Sequence, residues 1–422
     1  MSRSGDLALD GGSPALAAAG EVSWFAADHS DTDVRRKVRS SASGERQQHF
    51  VFDLERHWQE VTGRIHGVAC RSGSVALRVA FASLDLKAGD EVICPADAID
   101  LAAVLRRSDV VAVPVDLDLR TLHIDPAAVE AAITHRTQAI VAVDRYGTAA
   151  NYRSLTSVAR HHGLALVEDC SQSLGAFYDH RPVGAHGDLS ICALTGDAAS
   201  AALGTGGLLA TDDDELALNA RRIVLVSNEA RPQKSTIDGD SLTGFTCRLS
   251  ELSAAVGREQ LRRNDDVLAA RCDNGSHLRN RLSSIPGIWV PDVERGASHV
   301  YASFPVLVLP DELGLPEAAG TALRDTVNDC MAAEGVRLDR WPDQPGHHLG
   351  QWPTRQPGGA YPVAEALIAD GLLLGRDGAL FAPPNTTDQM DQIADCFAKV
   401  LVDNASRLRQ IALERFHTHV MV

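Results

Sequence analysis

Lysine is nearly missing from this 422-residue chain: Lys37, Lys87, Lys234 and Lys399 stand against thirty-six arginines. Any chemistry that needs a primary amine therefore has four candidates. No apolar run approaches the roughly 18–20 residues that cross a bilayer, so an integral membrane protein is not expected. Positive charge is in deficit, with 40 basic and 56 acidic residues and a formal charge of −16. That balance argues against nucleic acid as a partner. The eight cysteines (Cys70, Cys94, Cys170, Cys192, Cys247, Cys272, Cys330, Cys396) include no C-x-x-C pair and no metal-finger spacing. They read as reduced thiols of a cytoplasmic protein. The opening MSRSGDLALDGGSPALAAAG lacks a basic start followed by a sustained apolar core, so no secretion signal is expected. No G-x-G-x-x-G opens a helix after a first strand, which excludes a nicotinamide dehydrogenase of the usual kind. His161-His162 and His347-His348 are adjacent pairs whose side chains diverge, so no metal is expected.

What is present is an ordinary globular composition, 45% apolar and 23% charged. The length suggests two or three packing units. Residues 1–45 are polar and rich in small side chains, and are expected to form a flexible N-terminal arm. From Phe50 the pattern VFDLERHWQEVTGRIHG predicts a helix ending near Gly67. Short β-branched runs then alternate with helical stretches: EVICP (91–95), VVAVPVD (110–116), QAIVAVD (138–144), LALVEDC (164–170), LSICAL (189–194), GLLAT (207–211) and RIVLVS (222–227) are expected strands. AIDLAAVLRRS, PAAVEAAITHR and YRSLTSVARHHG are expected helices. This rhythm predicts βαβ units and a mainly parallel sheet sandwiched by helices. A long helix is expected over about 250–281, followed by a smaller α/β lobe. The division reads as 46–275 for the large domain and 276–422 for the small one.

In such a sheet, ligands bind beyond the carboxyl ends of the strands. Three segments fall there. Ser72-Gly73-Ser74 precedes a helix whose first amides can hold a phosphate or a carboxylate. Asp169 ends LALVEDC and is followed by Ser171 and Gln172. Gly204-Thr205-Gly206-Gly207 reads as a turn into a strand. Taken singly, each is equally a cap or a turn.

Their order is more informative. SGSVALRVAF, KAGDEVICP, the block from VPVDLDLR to VDRYG, HHGLALVEDCSQSLGAFY, VGAHGDLS, GTGGLLATDDDEL and GFTCRLSELSAAVGREQL together resemble the DegT/DnrJ/EryC1/StrS family of sugar aminotransferases, from about Phe50 to Leu401. The resemblance implies an α/β aminotransferase of fold type I. It also implies pyridoxal phosphate (PLP) held at Ser72, Gly73 and Ser74, a pyridinium partner at Asp169 with Gln172 beside it, and a homodimer whose sites are shared. It places a Schiff-base lysine between Gly187-Asp188 and the glycine turn. Here that stretch is GDLSICALTGDAASAALGTGG, with no lysine and no histidine; the position falls on Ala198 or Ala199. Other departures accompany it. Pro95-Ala96-Asp97-Ala98-Ile99 offers no aromatic ring to stack on the cofactor. Ala193 stands for a phosphate-touching serine, and Thr246 for an asparagine expected from the partner subunit.

The expectation is an aminotransferase-like protein of sugar, aminocyclitol or other secondary-metabolite biosynthesis that has lost lysine-dependent transamination. It would run cofactor-independent chemistry in the old cleft, on a small-molecule substrate. Asp169, Gln172, His186 and Asp197 are the catalytic candidates, with Asp97 and Tyr146 as further participants. No cofactor is expected. Two alternatives stay open: a noncatalytic partner associated with an active pathway enzyme, and a PLP or pyridoxamine phosphate (PMP) enzyme that holds its cofactor noncovalently. Lys234, in the loop ARPQKSTIDGD, is the one candidate substitute amine.

Overall fold

The computed structural model describes residues 6–10, 13–16, 49–98, 101, 104–105, 109–194, 206–226, 246–341, 361–375 and 379–420. The large domain is built on a seven-stranded sheet. Its strands are β1 (His66–Cys70), β2 (Glu91–Pro95), β3 (Val111–Val115), β4 (Thr137–Val143), β5 (Ala165–Asp169), β6 (Leu189–Leu194) and β7 (Gly206–Thr211). Their spatial order is β1-β7-β6-β5-β4-β2-β3. β7 runs antiparallel to both neighbours, and the remaining pairs are parallel. The expected α/β class with a mainly parallel sheet is what forms.

Each strand buries both faces. Val68, Cys94, Val141, Val167, Ile191 and Leu209 pack with Ala76, Ala80 and Phe81, which lie on helix α2 (Gly73–Ser83). Ala69, Ile93, Ile140, Leu166 and Cys192 pack with Leu54, Trp58 and Leu155 on the other face. These last belong to α1 (Phe50–Thr62) and α4 (Tyr152–His162), with the short α3 (Pro126–Ala132) between them in sequence. Burial on two faces explains why the strands read as continuous apolar runs.

Three expectations change. The helix expected to reach Gly67 ends at Thr62, where Gly63 caps it in the left-handed region at φ 68°. The next residues form β1, which pairs with β7. RIVLVS is not a strand; Arg222–Val226 closes helix α5 (Asp214–Val226). Ala217, Ala220, Ile223 and Val224 are buried at helical spacing, a period that the local β-branched run hides. Third, the expected flexible arm includes seated chain. Leu7 and Leu16 are buried in the small-domain core. The side chain of Glu334 accepts from the amides of Ala8 and Ala15, each at 2.8 Å. Lys399 donates to Ser13 O and to Glu334 Oε2 at 3.0 and 2.9 Å.

Helix α6 (Glu251–Leu282) joins the domains. Its Ala254, Ala255 and Leu261 pack in the large core, and its Leu278 and Leu282 in the small one. The small domain carries an antiparallel sheet of β8 (Ile288–Trp289), β9 (Phe304–Val308), β10 (Asp339–Arg340) and β11 (Gly371–Leu374), in the order β8-β9-β11-β10. Helices α7 (Gly320–Ala333), α8 (Pro362–Asp370), α9 (Thr387–Ala398) and α10 (Ala405–Val420) complete it. Among the described residues, no helix is long and apolar enough to cross a membrane.

Candidate functional site at the carboxyl edge of the large sheet

The end of β1 leads directly into α2. Ser72 is its N-cap, the hydroxyl accepting from Val75 N at 3.3 Å. Gly73 lies so close to β6 that a Cβ there would stand 2.5 Å from the Ala193 Cβ. The first turn of α2 is thus pressed against the ends of β6 and β7, because Gly207 in turn leaves no room for a side chain beside Ser72 O. Asp169 ends β5, one strand further along. Its Oδ1 accepts from Ser171 N at 3.0 Å and from the Ser171 hydroxyl. That hydroxyl in turn accepts from Ala193 N at 2.9 Å. A network therefore runs from Asp169 to the strand against which α2 begins.

Beyond β5 lies the end of β4. Gln172 Oε1 accepts from Tyr146 N at 3.2 Å, so the residue after Ser171 fastens the β5 turn to the β4 turn. Tyr146 is buried with φ 63°, a strained setting for a non-glycine residue. Its ring meets Trp341 edge-on at 5.8 Å between centroids. Burial, followed by the nearby Asp97 carboxylate, pushes its phenol up.

Arg145, beside Tyr146, reaches across to the end of β2. Its Nε lies 3.0 Å from Asp97 Oδ2, and its Nη2 donates to Asp97 O at 3.0 Å. Burial raises the Asp97 carboxyl, and the Arg145 charge opposes that rise. Asp116, at the end of β3, accepts from the amides of Val363 and Ala364, each at 3.0 Å, capping α8 and tying the small domain to this edge.

Asp169, Gln172 and Ser72-Gly73-Ser74 are therefore brought to one edge, with Asp97 and Tyr146. His186 is not among them. Its amide donates to Glu168 Oε2 at 2.8 Å, and Glu168 precedes Asp169 on β5, so it faces the opposite side of the sheet. The His186 ring stacks on Tyr152 at 4.8 Å and 13°. Burial, then the Arg181 charge, push it down to about 4. On that face Asp144 accepts from Ala150 N and the Tyr152 hydroxyl at 2.9 and 2.7 Å. Burial, then the charge of Glu168, raise the Asp144 carboxyl well above its usual range.

Asp197, Ala198, Ala199 and Lys234 lie outside the described residues. Of the other lysines, Lys87 pairs with exposed Asp85 ahead of β2, at the amino end of the strands. Lys399 is enclosed in the small domain. Arg145 is the residue that sequence reasoning missed. The signal was a charged dipeptide, Asp144-Arg145, directly after an apolar strand. Among the described residues, no group of three His, Cys, Asp or Glu side chains could hold a metal.

A mainly parallel sheet with one reversed strand, helices on both faces, an aspartate ending β5 and a helix opening beside it define the scaffold of a fold-type I PLP aminotransferase. The chain overlays on DesI, solved with its TDP-sugar product, with a TM-score of 0.80, 25% identity, and coverage of 97% of this chain and 99% of that one. The description of the DegT/DnrJ/EryC1/StrS aminotransferase family matches residues 29–397, and the chain belongs to that family. It is 34% identical over 355 residues to GDP-perosamine synthase of Caulobacter vibrioides, covering 84% of this chain and 90% of that protein. A GDP-4-keto-6-deoxymannose-3-dehydratase, solved with a trapped PLP-glutamate geminal diamine, shares the fold with a TM-score of 0.74 at 20% identity, over 88% of this chain and 99% of that one.

Proposed function

We propose that this protein is a sugar- or cyclitol-tailoring member of the family that has lost lysine-dependent transamination and uses the old cleft for cofactor-independent acid–base chemistry. The observation that carries this reading is the missing amine. The stretch from Gly187 to Gly207 holds no lysine, while Lys87 and Lys399 are committed elsewhere. Bound PLP would supply an electron sink. The retained groups suit only the two ends of that molecule: Asp169 its ring nitrogen, and the first turn of α2 its phosphate. Its imine end has no partner in this stretch, Ala193 offers a methyl in place of a hydroxyl, and the Asp97–Arg145 pair stands on the wall where an aromatic ring would stack.

In the proposed reaction, Asp169 takes a proton from, or returns one to, a substrate hydroxyl or an adjacent carbon. Ser171, donating to Asp169 Oδ1, fixes the carboxylate plane. Gln172 holds the β4 turn, and with it Tyr146 and Arg145, against that carboxylate. The assembly is proposed to be a homodimer. Exposed Phe52 and Leu252 support this, because they sit on adjoining helix ends where Val51 N donates to Glu251 Oε2.

The test is the visible spectrum of the purified protein with added PLP, followed by borohydride and peptide mass analysis. We expect no saturable band and no reduced adduct. An adduct on any of the four lysines overturns the reading. A saturable band without an adduct favours the noncovalent PLP or PMP alternative. A second reading, a noncatalytic partner of an active pathway enzyme, draws on the loss of several cofactor contacts within an intact scaffold. It gains if Asp169→Asn and Gln172→Ala leave the pathway product unchanged.

A further inference from the structure

We propose that the small domain carries a peptide-recognition groove apart from the cleft, and that residues 6–16 are its built-in ligand, a detachable segment read through Leu7, Asp10 and Leu16. The inference does not rest on the proposed function. The groove is walled by α7 and the two residues after it, by Lys399 following α9, and by Arg407 on α10. Leu7 and Leu16 are buried in the same apolar cluster as Val327, Met331, Val400 and Leu408. Between these anchors the groove reads backbone. Glu334, its side chain 0% exposed, accepts from Ala8 N with one carboxylate oxygen and from Ala15 N with the other. Its carbonyl accepts from Leu16 N at 3.2 Å, and Lys399 donates to Ser13 O. At the rim, the Arg407 fork meets both oxygens of Asp10, at 2.9 and 2.8 Å. Gly335 admits the segment: at φ 92°, a Cβ there would stand 3.1 Å from the Leu16 Cβ.

Two features set this contact apart from ordinary core packing. The family description matches residues 29–397. The segment therefore precedes the shared scaffold, and two of the side chains that grip it, Lys399 and Arg407, follow it. Residues 17–48 also separate Leu16 from the start of the large domain at α1. With so long a connection, the contacts of the segment, not chain continuity, decide where it sits. A tether also raises the local concentration of a ligand whose own affinity is modest. The segment is thus a built-in competitor. A peptide of the same pattern, Leu-x-x-Asp-x-x-x-x-x-Leu, enters the groove only when residues 6–16 leave it.

The experiment uses the full-length chain with a specific protease site inserted after Asp28 and cut to completion. The released fragment, which bears residues 6–16, should still co-elute with the body at micromolar concentration. A fluorescent synthetic peptide of residues 6–16 should displace it and bind saturably by anisotropy. Binding to the uncut chain, whose groove is filled, should be weaker by roughly tenfold or more. Leu7→Ala in the peptide should cost roughly tenfold or more, the loss of a buried leucine side chain. Arg407→Gln in the cut chain should weaken the parent peptide about two- to fivefold, the scale of a rim ion pair. It should leave the Asp10→Ala peptide unaffected, because that peptide has already lost the partner. Should the inserted chain not fold, the peptide is titrated against full-length Leu7→Ser/Leu16→Ser, whose own segment no longer fills the groove. No saturable binding, equal binding to the uncut chain, indifference to Leu7→Ala, or an Arg407→Gln loss of the same size for both peptides each overturns the inference.

Discussion

Lys399 with Glu334 and Arg145 with Asp97 are both ion pairs withdrawn from water, yet they are built differently. Glu334 is fully enclosed and accepts from Lys399 and from two backbone amides of residues 6–16. The pair holds Leu7 and Leu16 in the small-domain core. The Asp97 and Arg145 side chains are 2% and 18% exposed, against 0% and 10% for Glu334 and Lys399. One pair fastens a chain segment from early in the sequence to the small-domain core; the other joins the residue after β4 to the end of β2.

The comparison breaks most readily at Glu334. Replacing it with alanine leaves the Lys399 amine and two amides without their acceptor, and should cost about 3–5 kcal/mol in chemical denaturation. A loss below about 1 kcal/mol would show that the segment is not held as described. Leu7→Ala should cost about 2–3 kcal/mol by emptying a fully buried site, and a melt unaffected by it would point the same way.

Acid should loosen the segment around the β4 turn. Burial pushes His123 down to about 4, and pushes His299 down to about 3 with the neighbouring His123 charge adding to the effect. His123 bonds to Thr148 O at 3.1 Å, and Thr148 bridges to His299, next to the Tyr146 turn. Both folded values lie below the usual histidine value, so the unfolded chain binds more protons from about pH 6.5 down to about 4 for His123 and about 3 for His299. Stability should be level above that window and fall as pH drops through it. His299→Gln should flatten the fall in pH-dependent melts, and an unaltered slope would remove His299 from the account. The smallest effect is expected at the second ion pair. The Asp97→Leu/Arg145→Met double variant, which replaces both charges with apolar groups, should stay within about 1 kcal/mol of the parent. A loss as large as that of Glu334→Ala would make both pairs structural and erase the contrast.

Much of this was legible beforehand because strand burial on two faces leaves a strong local trace. EVICP, LSICAL and LALVEDC are strands within a residue or so of their expected limits. RIVLVS carried the same trace and is helical, since its apolar residues continue a spacing set by Ala217 and Ala220. Asp169 was legible as a carboxylate ending a strand. His186 was legible only as a histidine near it in sequence, and one residue of alternation along β5 turns the neighbouring Glu168, and His186 with it, to the far side of the sheet.

The sequence by itself determined the alternation of strands and helices, the family to which the chain belongs and the scarcity of lysine, because composition and period are local properties. Tertiary structure decided which charges meet. Asp97 and Arg145 are separated by almost fifty positions, and Glu334 by more than sixty from Lys399 and by over three hundred from the amides of Ala8 and Ala15. Nothing in a local pattern specifies such distant partners; only packing of the strands and helices brings them within bonding distance.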